Sequence, residues 1–395
     1  MNPSASGWID KFGSLDAKNK NGYLSFESLY EDLKATGFIY GFNLYSPDFI
    51  ETEHKLHDDE KAKLNLLNAL YQTYALEKGS QDFERFIEIV FQFYQKLDVG
   101  KVSFLQKIIS GKKTSAQLEK LLDSRIHIAD NVFSKTFTSL VTNGLLCIDV
   151  LTFRRFLSES RDILGFAQEL EYATIGLALQ SLEAKEPHKK DKKLAHILEA
   201  SLSFVDHTPT YSETQTGINL ERFGKSEKTY LLDMACLTVW EDQALKYAET
   251  ARIHTIGREL GFGKETTRDS LFWVGKFFAE HKEDIPHYKD HNLATQFYDN
   301  MSKMVNRLIK RNSKRLLKEL SESKELLYLL TQSTLRDLDA EEKKKIQKQL
   351  LDIFKSIPSL AIFMLPGGAV LLPIFIKLIP KLLPSAFDDN RIEDD

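Results

Sequence analysis

Four groups of residues in this chain have types and spacings that invite chemistry. The stretch DAKNKNGYLSFE, residues 16–27, puts Asp16 first and Glu27 twelfth, as a calcium-binding loop would. Its glycine stands seventh rather than sixth, and Lys18 and Lys20 occupy ligand positions. We therefore read a turn leading into a helix. His287 and His291 lie one helical turn apart, with His281 and Asp290 near, a spacing that zinc can use. No HExxH accompanies them and Pro286 precedes them, so they read as surface residues. Asp233, Glu241, Asp242 and Glu249 form an acidic group, for which helix capping and solvation is the plain reading. The fourth group is basic: Lys303, Arg307, Lys310, Arg311, Lys314, Arg315 and Lys318, with no acid from Met301 to Lys318. No phosphate loop, nucleophile elbow or Cys/His nucleophile pair is present, so no enzyme and no resident cofactor is expected.

The elements that must position these groups are helices. KLNLLNALYQTYALEKG (63–79) and DFERFIEIVFQFYQKL (82–97) repeat apolar residues every three or four positions. FRRFLSESRDILGFAQELEYATIGLALQSL (153–182) does the same, and strand signals are sparse. Breaks are expected at 111–115, in EPHKKDKK (186–193) and in DHTPTYSETQTG (206–217). Five segments follow: a helical unit over 1–185, a second over 194–300, a basic lead-in over 301–355, a proline-rich apolar segment over 356–387 and an acidic tail over 388–395. The fold class is all-α, with multi-helix bundles and a C-terminal proline-kinked apolar helix. The 395 residues are 42% hydrophobic and 28% charged, a globular composition. Cys147 and Cys236 are unclustered and sit among apolar residues, as buried free thiols in a reducing compartment would. MNPSASGWIDKFG has neither a basic nor an apolar leader region, so no signal peptide is expected.

Within 230–265 an apolar stripe (Leu231, Ala235, Thr238, Val239) ends at Glu241-Asp242, and a new helix carries Glu249, Ile253, Ile256 and Leu260 before Gly261 stops it. This resembles the tellurite-resistance, TerB-like helical domain. Asp242 matches that family's turn aspartate and Glu249 its early glutamate, while Gln243 replaces its glycine. The resemblance implies a divalent cation at Asp242 and Glu249.

The C-terminal quarter holds the most unusual pattern. Asp339 and Glu342 have capping-box spacing, and Lys343, Lys344 and Lys345 then form a basic face. Between Lys355 and Lys377 there is no charge, over a length that a ~31 Å helix would match to a ~30 Å hydrocarbon core. Pro366, Pro373 and Pro380 recur every seven residues and so fall near one helix face. With Pro358, Gly367, Gly368 and Pro384 they suggest a helix kinked in lipid, where freed carbonyls find other partners. The alternative is a hairpin buried in a bundle. The upstream basic excess places the bulk of the chain in the cytoplasm, beside membrane lipid.

The run Ile379-Pro380-Lys381-Leu382-Leu383-Pro384-Ser385-Ala386-Phe387 resembles the Phe-Pro-x-x-Leu-Pro-Ser-x-Phe signature of the LETM family of inner mitochondrial membrane proteins. Only the first position departs. With its helical front and TerB-like middle, the chain is similar to bacterial LETM-related proteins of the biofilm-associated type. The resemblance implies a non-enzymatic, membrane-anchored adaptor or assembly factor, partnered by the ribosome or another protein. A homo-oligomer is a further expectation, and no DNA partner is expected. Cation–proton exchange, also attributed to the family, would need the glutamate that Ala369 replaces. The family's ribosome-facing region follows its span, whereas this sequence ends eight residues after Phe387.

Overall fold

The computed structural model describes residues 1–19, 22–52, 56–97, 114–126, 146–183, 219–240, 247–281, 312–336, 338–357 and 371–383. It also describes isolated positions at 195, 199, 202, 302, 305–306, 308–310, 360 and 363. Every regular element among them is helical.

The first core is built by α1 (Trp8–Asp16), α2 (Phe26–Ala35), α3 (Asp58–Lys78), α4 (Phe83–Lys96), α5 (Ser115–Ile126) and α6 (Leu146–Ser158). It also takes in α7 (Ile163–Glu183), α8 (Lys225–Val239), α9 (Tyr247–Glu259) and α10 (Lys264–Glu280). One apolar cluster runs through all ten, from Met1 to Phe278. α3 is buried almost all round from Ala62 to Tyr74, the pattern of a helix at the centre of a bundle. The 16–27 stretch ends as a turn before α2: Ser25 caps the helix, and its hydroxyl accepts from the Ser28 N–H. The periodic run over 153–182 is not one helix. It breaks after Ser158, where the polar residues Glu159–Asp162 intervene and Asp162 takes a left-handed φ of 47°. α9 stops as the sequence suggests. Gly261, at φ 86°, turns the chain so that the Phe262 N–H returns to the Gly257 carbonyl at 2.7 Å.

Two buried ion pairs tie distant parts of this core together. Lys34 on α2 reaches the Asp233 carboxylate on α8 at 3.3 Å, and the Tyr30 hydroxyl donates to Asp233 at 2.9 Å. Arg125 on α5 donates to both Asp149 oxygens on α6 at 2.7 and 2.9 Å, and Tyr94 adds a third bond at 3.0 Å.

A second core collects α11 (Ser313–Ser321), α12 (Lys324–Leu335), α13 (Ala340–Ser356) and α14 (Leu372–Leu382), together with Val305 and Ile309. Ile175 and Leu182 of α7 enter it, so one helix serves both cores. Phe354, Phe363 and Phe375 form an aromatic trio at its centre, with centroid separations of 4.6, 5.1 and 5.0 Å.

The expected long apolar helix takes a different form here. α13 ends at Ser356, and Ile357 is extended, as the residue before a proline tends to be. The described part of the uncharged run is a pair of single-turn positions, Leu360 and Phe363, and then the eleven-residue α14. Among the described residues no helix is long and apolar enough to cross a membrane. Leu372, Phe375 and Ile379 are instead buried in the second core. Pro373 lies in the first turn of α14, where its missing N–H is no loss, and Pro380 lies near the end. Both prolines are half-exposed on one side, as their seven-residue spacing requires. Pro358, Pro366, Gly367, Gly368 and Pro384 lie outside the described residues. Truncating Phe375 to alanine removes the edge-to-face partner of both other rings. It should cost about 3–5 kcal/mol in the second core, read as an earlier thermal transition of the full chain in detergent-free buffer.

Candidate functional site

The residues that could do chemistry resolve into one polar feature of the first core and one basic face on the second. Asp233 is fully buried and engaged by Lys34 and Tyr30. Burial raises its pKa, and the Lys34 charge and the Tyr30, Lys34 and Ser270 hydrogen bonds oppose that rise only in part. It is therefore a structural carboxylate, closed to an outside cation. Glu241 and Asp242 lie outside the described residues, as does the side chain of Glu249 on α9. His287, Asp290 and His291 lie outside them too. Among the described residues no group of three or more His, Cys, Asp or Glu could hold a metal.

The basic face begins with the start of α13. Asp339 caps it: its carboxylate accepts from the Glu342 N–H at 2.8 Å, and Glu342 accepts from the Asp339 N–H at 3.0 Å. Arg336 closes this box from outside with two bonds to Glu342, at 2.8 and 2.6 Å. The Arg336 bonds, with help from the Asp339 N–H, hold the Glu342 carboxyl down at about 2, against an ordinary 4.5. A lowered folded value means that this carboxylate supports the folded start of α13 above the unfolded pKa. That support is lost as pH falls from about 4.5 toward 2. Amide protection factors at the α13 N-terminus should fall over this acid window, and the Glu342→Gln chain should not show the step.

Ile346, Leu350, Ile353 and Phe354 face the core. At 3.6 residues per turn, Lys344, Lys348 and Lys355 fall within about 40° of one another on the opposite side. Lys344 and Lys348 are exposed and Lys355 is half-exposed. Lys355 pairs with Asp352 one turn away at 2.6 Å. Lys343 is half-buried, and Lys345 is exposed but pairs with Glu325 of α12 at 3.4 Å. Of the three successive lysines, Lys344 thus stands on the outward stripe. α14 repeats the device: Lys377 and Lys381 are exposed one turn apart, beside the half-exposed prolines. On α11, Lys314 and Lys318 are exposed behind the buried Leu316 and Leu320, and Lys310 precedes them by one turn. Arg315 is also exposed, whereas Lys303, Arg307 and Arg311 lie outside the described residues.

Lys348, Lys355, Lys377 and Lys381 do not stand out in the sequence as a cluster. Their signal is their spacing opposite an apolar stripe, which shows only once α13 and α14 are separate helices. Charge along the chain follows the same division. Residues 1–300 carry 36 basic and 44 acidic side chains, 301–387 carry 16 and 8, and the last eight residues carry one and five. The described part of the C-terminal unit thus combines outward lysines with a sealed phenylalanine core.

Among the described residues, fold and face define an all-helical unit with outward lysines. The family model described as LETM1-like, RBD matches residues 338–395, which include α13 and α14. The match relates this C-terminal region to the LETM family and supports a LETM-like, non-enzymatic role. It falls on the segment that contains the Ile379–Phe387 signature. No curated protein and no solved structure matches the chain.

Proposed function

We propose that this chain is a ribosome-binding adaptor. Its lysine-faced C-terminal unit binds ribosomal RNA, and its acidic helical front, with a TerB-like middle, recruits a second partner. The observation that carries the reading is the coincidence of the RBD match with outward lysines on α13 and α14. Phosphate neutralisation by such lysines supplies affinity without base specificity. The bilayer span expected from the sequence plays no part in this reading. Leu360, Phe363, Leu371, Leu372, Phe375 and Ile379 are already buried within the chain, and lipid would have to replace that packing.

Lysine acetylation footprinting tests the assignment. Added ribosomes should shield Lys344, Lys348, Lys377 and Lys381 from the reagent and leave exposed lysines of the front unit, such as Lys11 and Lys225, unchanged. Equal labelling of both sets with and without ribosomes would remove the reading.

A further inference from the structure

The second core uses its phenylalanines inside: Phe354, Phe363 and Phe375 are all buried. Its tyrosine is treated differently. Tyr328, on α12, is 56% exposed, and Leu335 two turns further on is 74% exposed. Lys324, Tyr328, Thr331 and Leu335 follow one another at i, i+4, i+7 and i+11, and all four are exposed. They form one outward stripe, opposite the buried Leu326, Leu327 and Leu330.

The position of this stripe is fixed by bonds between α12 and α13. Glu325 meets Lys345 at 3.4 Å and Gln349 at 2.9 Å, and Arg336 meets Glu342. The two helices therefore run antiparallel, and Tyr328 lies level with the first turns of α13. Lys344 and Lys345 are exposed there. Lys324 stands one turn before Tyr328 on α12, and Arg336 follows the end of that helix. An exposed aromatic ring thus stands on α12 level with Lys344, while Lys345 and Arg336 are paired with Glu325 and Glu342.

From this placement we infer that Tyr328 is a base-stacking platform, and that the polyanion it helps to hold is an unpaired segment of RNA. A duplex buries its base faces, while an unpaired strand offers them, and stacking on an aromatic ring adds affinity that charge alone does not. The inference rests on the ribosome-binding reading and narrows it to single-stranded RNA. It also extends the binding surface to α12, which precedes the matched residues 338–395.

The test is anisotropy of a labelled single-stranded RNA 12-mer of mixed sequence, and of a duplex of the same length, with the full chain over a salt series. Tyr328→Ala should weaken the single strand by about fivefold or more, as loss of one stacked base does. It should leave the slope of log affinity against log salt unchanged and should barely affect the duplex. Tyr328→Phe should restore binding, because the ring and not the hydroxyl stacks. If the wild-type chain binds the single strand and Tyr328→Ala binds equally well, the stacking assignment is wrong while the lysine reading stands. If the wild-type chain binds neither RNA, both fall together.

Discussion

Exchanging Lys344 and Lys348 for glutamate should weaken RNA binding by about ten- to a hundredfold near physiological salt. Both side chains lie on the outward stripe of α13, away from Ile346 and Leu350, so reversing their charge leaves the core in place. The loss has two parts: two phosphate contacts disappear, and two like charges now face the strand. Each lysine that neutralises a phosphate of a single strand contributes about 0.7 to the slope of log affinity against log salt. The double variant should therefore show a slope shallower by roughly 1.4. Helix content and thermal midpoint should match those of the parent chain. Lys345→Glu is a useful contrast. It reverses a charge engaged with Glu325, so its effect on binding should be smaller. A double variant that binds with unchanged affinity and slope would place the site elsewhere.

Removing the Asp233 carboxylate should be the most damaging single change to the first core. Asp233→Ala strands the Lys34 ammonium in an apolar interior and leaves the Tyr30 hydroxyl without its acceptor. Breaking one side of a buried pair in this way costs about 3–5 kcal/mol. Pairing Asp233→Leu with Lys34→Met should recover much of the loss, because the desolvation of both charges is then relieved. Chemical denaturation of the three variants measures both effects. The acid response has its own sign. Asp233 titrates above the ordinary aspartate value of 3.8 in the folded chain, so the folded state holds that proton more tightly than the unfolded state. Its contribution to stability is greatest below that value and is lost as pH rises through the folded pKa. Glu342 behaves oppositely, since its folded pKa is lowered. Asp233→Asn should flatten the first dependence and leave the second.

Much of the helical architecture was legible in the sequence, because apolar spacing and capping are local. α3 and α4 lie where periodicity puts them, and the Asp339–Glu342 box forms as its spacing requires. The apolar run before Lys377 was harder to read, since hydrophobicity and length do not distinguish a lipid environment from a protein one. In the structure its described residues Leu360, Phe363 and Phe375 share a core with Phe354 and with Leu330 of another helix, a packing that residue type alone does not reveal. The same limit applies to Asp233. Beside Glu241 and Asp242 it looked like part of an acidic site, and only the packing of α2 against α8 shows Lys34 closing it. The lysine face was half visible. The runs at 303–318 and 343–345 stand out by density. Lys348, Lys377 and Lys381 acquire meaning only from the outward sides of helices whose boundaries the prolines helped to set.

The most direct measurement is co-sedimentation of the full chain with purified ribosomes through a sucrose cushion at low and at near-physiological salt, beside the Lys344→Glu, Lys348→Glu chain. We expect the parent to pellet with ribosomes at both salts, less at the higher, and the variant to stay in the supernatant. A parent chain that stays in the supernatant at low salt would contradict ribosome binding. A variant that pellets as fully as its parent would contradict the lysine face as its seat.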